Sequence, residues 1–278
     1  MNPGTIIIAA HNEEAVIGRT LDALSDAGEK QNIHVVVVSN GCTDRTAQIA
    51  AEYTGVKVVD IAVASKIAAL REGDRHAIRG PRIYLDADVV LSSRAARDVI
   101  DALSSGAVAG RPPHAFDSSR ATWIVRSWYR VRAELPSISS ALWGAGCYAL
   151  SETGRARFDE FPDLISDDLF IDSLYSTDEI TIVPTDPVIV TTPRRTADLL
   201  RILRRSYRTQ SEVAEAADGL SSGQRGQLGD LKALVRRSPN RLGDVIVYVT
   251  VIAVGRIRAR TSRTKERWER DTSSRQLD

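Results

Sequence analysis

Short apolar runs alternate with amphipathic segments along the first hundred residues. The runs are rich in β-branched residues and too short for helices, which predicts buried strands at 5–10, 33–38, 56–60 and 82–85. Between them, apolar residues recur at helical spacing, which predicts helices over 13–27, over 44–53 with Thr43 as N-cap, and after an N-cap at Ser65. This alternation predicts an α/β fold with a mostly parallel sheet and helices on both faces.

The pattern changes beyond residue 105. A Trp- and Arg-rich segment predicts a helix over about 118–135, and two β-branched runs predict strands at 180–183 and 188–192. From Thr196 onward the spacing is helical. A run at 245–255 is almost wholly apolar, but its eleven residues fall short of the roughly 20 that a membrane-spanning helix needs. We interpret it as an interfacial or dimer-packing helix, with a core helix as the alternative.

Composition adds bounds on the class of protein. The 278 residues are 43% hydrophobic and 26% charged, as in an ordinary globular protein. The two cysteines, Cys42 and Cys147, provide neither a disulfide framework nor a metal-ligand cluster. The N-terminus has no basic segment before its first apolar run, so we expect no signal peptide and a cytoplasmic location.

Charge is distributed unevenly along the chain. Residues 1–193 hold 18 Lys and Arg against 26 Asp and Glu, a net of −8. Residues 194–278 hold 19 against 10, a net of +9. A basic C-terminal part indicates an anionic partner, either a membrane surface or a phosphate-bearing lipid, with a solvated arginine-rich face as the alternative.

Polar side chains follow the predicted strands, where parallel sheets bind their ligands. They occur at His11-Asn12-Glu13-Glu14, Ser39-Asn40-Gly41 and Asp86-Ala87-Asp88. Two carboxylates two residues apart after a buried strand can bind one Mg²⁺ or Mn²⁺ and leave positions open for diphosphate oxygens. Acidic pairs in loops are common, so this motif gains weight only from its surroundings.

Those surroundings resemble the family 2 glycosyltransferases, which have the GT-A fold. The resemblance covers about residues 4–175 and rests on five segments in the family's order, at residues 9–14, 39–44, 66–70, 86–88 and 146–150, with an acidic pair at 167–168. It implies a Rossmann-like catalytic domain over 1–193, with a nucleotide-binding half at about 1–90 and an acceptor half at about 91–193. Residues 194–278 then form a basic helical extension.

The resemblance also implies roles for individual residues. The nucleotide-sugar site would comprise Ala10, His11, Asn12, Glu13, Asn40, Lys66, Asp86, Ala87 and Asp88. His11 and Asn40 would line the nucleobase, Lys66 would neutralise the diphosphate, Asp86 would hold the ribose or the metal, and Asp88 would hold the metal. The structural alternatives are a buried hydrogen-bonded His11, a first-turn acid at Glu13 that favours the helix dipole, and an exposed helical Lys66.

Asp168 would be the general base that deprotonates the acceptor hydroxyl, with Asp167 as the neighbouring alternative. Because the diphosphate would leave from the opposite face, the implied mechanism inverts the anomeric centre. If the acceptor is itself a phosphate, Asp168 would serve orientation instead. The alternative for the pair is two acids that stabilise a helix N-terminus.

The chain departs from the family at three points. Asn40 stands where many relatives have a carboxylate, so both UDP and GDP remain candidate donor nucleotides. Arg71 stands where Asn is frequent. A basic stripe is formed by Arg201, Arg204, Arg205 and Arg208. The tryptophan that follows such a stripe in processive members is absent here, which argues against polymer synthesis. The stripe is either a phosphate-binding face or a solvated face.

We therefore predict a metal-dependent glycosyltransferase whose acceptor is a sugar or a polyprenyl-phosphate or other lipid, peripheral to the inner face of the membrane, with a homodimer as a further option. One alternative is a phosphatase similar to the haloacid dehalogenases, with Asp86 as nucleophile. The other is a non-catalytic sugar-nucleotide-binding module. No G-x-G-x-x-G follows the first strand, which argues against dinucleotide chemistry, and no stacking platform indicates nucleic-acid binding.

Overall fold

The computed structural model describes residues 2–25, 32–164, 166–216 and 227–261. The strands of this part are β1 (Gly4–Ala10), β2 (Ile33–Asn40), β3 (Val56–Ile61), β4 (Arg82–Asp86), β5 (Val89–Val90), β6 (Ala109–Arg111), β7 (His114–Asp117), β8 (Cys147–Leu150), β9 (Ile180–Ile182) and β10 (Val188–Thr191). Its α-helices are α1 (Ile17–Ala23), α2 (Thr46–Ala51), α3 (Lys66–Arg75), α4 (Ser93–Ser104), α5 (Trp123–Ala133), α6 (Pro136–Ser139), α7 (Glu152–Arg155), α8 (Asp167–Ser173), α9 (Thr196–Ala216), α10 (Gln227–Arg237) and α11 (Leu242–Thr261).

The larger sheet confirms the predicted mostly parallel arrangement. Its order is β3-β2-β1-β4-β8-β6-β9, and β3, β2, β1 and β4 run parallel, while β8 is antiparallel to both neighbours. Ala10 of β1 is level with Ser39 of β2, and Ala9 is level with Asp86 of β4. The register therefore brings the polar residues that follow these strands to one edge of the sheet.

Helices cover both faces of this sheet, as the alternation predicted. Ile6 and Ile8 of β1 pack in one cluster with Ile17 of α1, while Ile7 packs in another with Leu70 of α3. Successive side chains of a strand point to opposite faces, so β1 is buried from both sides. A second, smaller sheet contains three later strands in the order β5-β10-β7.

Two helix starts differ from prediction. Helix α1 begins at Ile17 and not at Glu13, because the carbonyl of Glu13 accepts the N–H groups of Val16 and Ile17 in a preceding turn. The predicted end of this helix, at Ala27, lies outside the described residues. Helix α2 begins two residues late, because the carboxylate of Asp44 accepts the Thr46 N–H at 3.0 Å and takes the capping role expected of Thr43.

Ser65 is the N-cap of α3, as predicted, and its hydroxyl accepts the Ala68 N–H at 3.3 Å. The helix predicted over about 118–135 is shorter in the structure, where α5 covers Trp123–Ala133. The single turn α6 follows this segment and begins at Pro136. The strands predicted at 180–183 and 188–192 form as β9 and β10.

The C-terminal helices α9 and α11 pack against α5 and share a core with it. Trp128 of α5 is buried in one cluster with Leu203 of α9 and Tyr248 of α11, and the Trp128 and Tyr248 rings stack at 5.4 Å. The apolar run at 245–255 lies inside α11, where Val245 and Val251 face this core. No helix in the described ranges combines the length and apolarity needed to cross a bilayer. The division at residue 193 remains a prediction.

Candidate active site

A cavity of about 360 Å³ opens at the carboxyl edge of the parallel strands. Most of the residues that the sequence singled out line it, and they come from β1, β2, α3, β4 and α8. Those residues are His11, Glu13, Asn40, Lys66, Asp86, Ala87, Asp88, Asp167 and Asp168. Residues separated by up to 157 positions in the chain therefore meet in one cleft.

Ala10 and Asn12 do not line this cavity but shape its floor. The carbonyl of Ala10 accepts the side-chain N–H of Asn40 at 2.7 Å. Asn12 adopts a positive φ of 52°, and its side-chain Oδ1 accepts the Thr43 N–H at 2.7 Å. Asn12 thus joins the loop after β1 to the loop after β2, which fixes the two loops relative to each other.

His11 and Asn40 form one hydrogen-bonded unit at the ends of β1 and β2. The ring Nδ1 of His11 donates to the backbone carbonyl of Asn40. The Asn40 side chain is 1% exposed, and its amide group donates to Ala10, while its Oδ1 has no partner among the described residues. Because buried acceptors are rarely left unsatisfied, Asn40 Oδ1 is suited to receive an N–H of a ligand.

Lys66 bridges two carboxylates, an arrangement that the sequence did not reveal. Its Nζ lies 2.7 Å from Asp86 Oδ1 and 2.8 Å from Asp167 Oδ1. Burial alone would lower the pKa of Lys66, but the charges of Asp167, Asp86 and Asp168 outweigh burial and raise that pKa above its usual value. Lys66 is therefore a fixed cation between β4 and α8, and is not an exposed helical lysine.

Asp167 and Asp168 are adjacent, yet their environments differ. Asp167 is 3% exposed and bonded to Lys66 and to the Tyr148 hydroxyl, which donates to Oδ2 at 2.9 Å. Burial is the main cause that raises the pKa of Asp167, against the opposing charge of Lys66. Asp167 is thus committed to internal partners.

Asp168 is half-buried at the cavity wall, where backbone groups orient its carboxylate. The N–H of Gly144 donates to Oδ2 at 2.9 Å, and the N–H of Leu169 donates to Oδ1 at 2.9 Å. The Ser166 hydroxyl also donates to Oδ1, at 2.6 Å. Of the two acids, Asp168 is the one presented to a ligand with a fixed orientation.

The carboxylates of Asp86 and Asp88 suit a hard divalent cation. No cluster of three or more acidic, His or Cys ligands occurs in the described part of the chain. Mg²⁺ commonly uses one or two carboxylates and takes its remaining ligands from water and substrate phosphates. Gly146, at a φ of 63°, leaves room for Asp86, because a Cβ there would lie 3.0 Å from Asp86 Oδ2. The residues present therefore fit a metal shared with a diphosphate.

The wall opposite the strand ends was missed by the sequence analysis. Helices α5 and α9 supply Trp128, Tyr129, Arg132, Leu203 and Arg205 to the cavity. For the residues on α5, the sequence signal is the Trp- and Arg-rich composition of residues 118–135. This composition predicts a helix but does not indicate which side chains face the cavity. Of the predicted basic stripe, Arg205 lines the cavity, whereas Arg201 pairs with Asp198 of its own helix.

The loop that carries Trp143 and Gly144 is anchored from below. The fully buried Arg111 donates to the carbonyls of Ala141 and Ser139 at 2.6 and 2.8 Å. Between Ala141 and Trp143, the backbone N–H of Leu142 donates to Asp172 Oδ1 at 2.7 Å. These bonds hold the Gly144 N–H where it orients Asp168.

Known proteins resemble this chain in sequence and in fold. Residues 5–148 match the model of glycosyl transferase family 2. A 4,4'-diaponeurosporenoate glycosyltransferase of Staphylococcus aureus (strain bovine RF122 / ET3-1) is 39% identical over 90 residues, which are 31% of this chain and 24% of that protein. The chain thus matches about a quarter of the length of that relative.

Solved structures share the fold at low sequence identity. A mannosyltransferase from Pyrobaculum calidifontis, solved with GDP-Man and Mn²⁺, has a TM-score of 0.59 and 20% identity over 95% of this chain and 77% of its own. Glucosyl-3-phosphoglycerate synthase from Mycobacterium tuberculosis, solved with Mn²⁺ and UDP-glucose, has a TM-score of 0.55 and 19% identity over 75% of this chain and 78% of its own. With a match to the family model over more than half of its length, and with the GT-A fold that it shares with these solved structures, the chain belongs to glycosyl transferase family 2.

Proposed function

We propose that this enzyme transfers a sugar from UDP or GDP onto an acceptor hydroxyl or phosphate, with inversion and with Mg²⁺ or Mn²⁺ as cofactor. One observation carries the proposal: Asp86, Asp88 and Asp168 line one cavity, where the Lys66 ammonium bridges Asp86 and Asp167, the neighbour of Asp168. The diphosphate leaving group and the attacking acceptor group would thus contact different carboxylates of the same cavity.

The strand ends of β1 and β2 would hold the nucleobase. Asn40 Oδ1 is a buried acceptor without a partner in the described residues, and both uracil and guanine offer a ring N–H to such an oxygen. His11 lines the same part of the cavity and offers a ring face for stacking. Both UDP and GDP satisfy this chemistry, and the solved neighbours bind one or the other.

Asp88 and Asp86 would hold the metal, which when bound neutralises charge on the diphosphate leaving group. We assign the direct metal contact to Asp88, and a contact from Asp86 would use its Oδ2, because its Oδ1 is bonded to Lys66. Lys66 also supplies a fixed positive charge close to the diphosphate, at no reorganisation cost during the reaction.

Asp168 would accept the proton of the acceptor hydroxyl. The hydroxyl oxygen would attack the anomeric carbon from the face opposite the diphosphate, so that the configuration inverts. Asp167 is less suited to this role because it is only 3% exposed and is paired with the Lys66 ammonium, whereas Asp168 is half-buried at the cavity wall. If the acceptor is a phosphate, Asp168 would orient it instead.

A nucleotide screen tests the donor assignment. Thermal unfolding would be measured with UDP, GDP and dTDP, each with Mn²⁺ and with excess chelator. Since a ligand that binds only the folded state stabilises it by mass action, we expect UDP or GDP to raise the melting temperature, and more so with Mn²⁺. The absence of any metal-dependent shift with all three nucleotides would contradict the assignment.

The alternative functions have less support. A phosphatase with Asp86 as nucleophile is disfavoured because residues 5–148, which include Asp86, match glycosyl transferase family 2. A non-catalytic sugar-nucleotide-binding module would bind nucleotide in the screen but release no nucleoside diphosphate from a nucleotide sugar.

We further propose that α11 docks on the anionic inner face of a membrane, which would favour a lipid-linked acceptor such as a polyprenyl phosphate. Its side chains Leu242, Ile246, Val249 and Ile257 are 50%, 59%, 48% and 61% exposed, and their spacing of four, three and eight residues puts them on one helix face. This exposed stripe lies apart from the buried face that holds Val245.

Charge favours a membrane over a second copy of the chain as the occupant of this stripe. Arg256 and Arg258 are exposed on the same helix, and its single acid, Asp244, is paired with Arg130 at 2.9 Å. Each basic residue close to an anionic surface contributes about 1 kcal/mol of attraction. Residues 262–278 hold five Lys and Arg against four Asp and Glu, so they add a net charge of only +1.

Vesicle co-sedimentation tests the docking. We expect the protein to bind vesicles with anionic lipid at low salt, to release them at high salt, and to ignore neutral vesicles. Replacing Ile246 and Val249 by Glu should abolish binding, while Glu at the exposed loop residue Val63 should not. Truncation near residue 240 is a poor probe, because it would remove Tyr248 from the core. Dimerisation that the Glu pair disrupts, without vesicle binding, would favour the homodimer.

A further inference from the structure

Arg132 lies at the boundary between two cavities and touches aromatic rings. Its guanidinium carbon is 5.1 Å from the ring centre of Trp143, 5.4 Å from that of Trp128 and 6.0 Å from that of Phe116. It lines both the main cavity and a second cavity of about 150 Å³ on the side of α9 and α11. In the described part of the chain, no carboxylate forms an ion pair with Arg132.

The surroundings of Arg132 are electropositive and poorly satisfied. Trp128 and Trp143 are 3% and 6% exposed, and their indole N–H groups have no partner among the described residues. Nearby, burial and the charges of Arg111 and Arg132 lower the pKa of His114 to about 3. An anion is the ligand that would complement a guanidinium beside unsatisfied donors.

The position of Arg132 assigns it to the acceptor side of the reaction centre. Gly144, at a φ of 76°, separates it from Asp168: a Cβ there would meet Arg132 Nη2 at 2.4 Å, and the Gly144 N–H donates to Asp168. The groups proposed for the donor, Asn40 and Asp88, lie at the strand ends. A ligand on Arg132 is therefore next to the proposed base.

We infer that Arg132, framed by Trp128 and Trp143, is a subsite for an anionic group of the acceptor, a phosphate or a carboxylate. This inference rests on the proposed function only in naming the ligand as the acceptor. The guanidinium stacks on the indole faces, which hold it in place, and its N–H groups bind two oxygens of the anion. The second cavity, which Tyr207, Tyr248 and Arg256 line, adjoins this subsite and offers space for the rest of the acceptor.

Calorimetry on the whole protein tests this subsite. The protein would be saturated with Mn²⁺ and the nucleoside diphosphate selected by the screen, which fills the diphosphate site, and titrated with glycerol 1-phosphate, octyl phosphate, acetate and glycerol. We expect the anions to bind and glycerol not to bind. Octyl phosphate binding more tightly than glycerol 1-phosphate indicates a lipid source, equal affinities indicate a soluble phosphate, and a preference for acetate indicates a carboxylate.

Arg132→Gln should weaken anion binding roughly ten- to a hundredfold, the usual range for a charge-assisted hydrogen bond, and change nucleotide affinity less than about twofold. Arg126→Gln removes the same charge from an exposed position of α5 and should change neither. Arg132→Lys should give an intermediate affinity, and this comparison with wild type decides the question if the Gln variant does not fold.

Three outcomes would overturn the inference: no anion binding by the wild type, unchanged binding in Arg132→Gln, or an equal loss of nucleotide affinity, which would make Arg132 a donor ligand. If no nucleotide binds in the screen, the proposed function fails, but the titration of the metal-free protein still tests the anion subsite. The two failures are therefore distinguishable.

Discussion

Replacing Asp88 by Asn should abolish glycosyl transfer and remove the metal-dependent part of nucleotide binding, while the fold is retained. An amide keeps the shape of the side chain but loses the negative charge that a hard divalent cation requires. A nucleotide present at about a hundred times its dissociation constant stabilises a protein by about 2.7 kcal/mol. For a chain of this size we expect a shift of about 5–10 °C in the wild type with Mn²⁺, and its loss in the variant.

Asp60→Asn is the matched control, because Asp60 is an exposed acid at the end of β3 outside the cavity. It should keep both the metal-dependent shift and turnover. Full activity of the wild-type enzyme in excess chelator would contradict the metal assignment, and so would an Asp88→Asn variant that retains Mn²⁺-dependent nucleotide binding.

Asp168→Asn should lower turnover by about 10²–10⁴, the usual cost of losing a general base, with little change in donor affinity. The amide oxygen can still accept one of the backbone N–H groups of Gly144 and Leu169, so the loop should keep its position. Turnover would be followed as nucleoside diphosphate release, and donor affinity by calorimetry.

The neighbouring acid gives an internal comparison. Asp167→Asn removes a buried charge from the Lys66 bridge and weakens the Tyr148 bond, so its main effect should be on stability. A variant of Asp168 that loses nucleotide affinity and keeps its turnover would show that Asp168 acts on the donor. If Asp167→Asn instead reproduces the loss of turnover without destabilising the protein, Asp167 is the base.

The parallel strands of the nucleotide half were predictable because β1 and β2 are buried on both faces. Ile6 to Ile8 and Val35 to Val38 are almost fully inaccessible, and such runs stand out in the sequence as unbroken apolar segments. Parallel strands place their following residues at one edge, so the grouping of His11, Asn40 and Asp86 followed from the fold class. Helix starts were less predictable, since Glu13 bonds to Thr46, far away in the chain.

The acceptor side was not predictable in this way. The contact of Arg132 with Trp143 and Gly144 depends on how α5 packs over the anchored loop, and no periodicity encodes that contact. The Lys66 bridge to Asp167 joins residues 101 positions apart. The roles of Lys66 and Asp167 therefore follow from the family resemblance, whereas the ion pair between them is seen only in the structure.

Proton NMR of the sugar first released from UDP-glucose or GDP-mannose, with Mn²⁺ and with water as the nucleophile, tests the central claim most directly. These donors carry α-linked sugars, so an inverting enzyme must yield the β-anomer before mutarotation, together with one nucleoside diphosphate for each sugar released. We expect the β-anomer first, and no release in excess chelator or with Asp88→Asn. Initial appearance of the α-anomer, or release that does not depend on metal, would contradict the account.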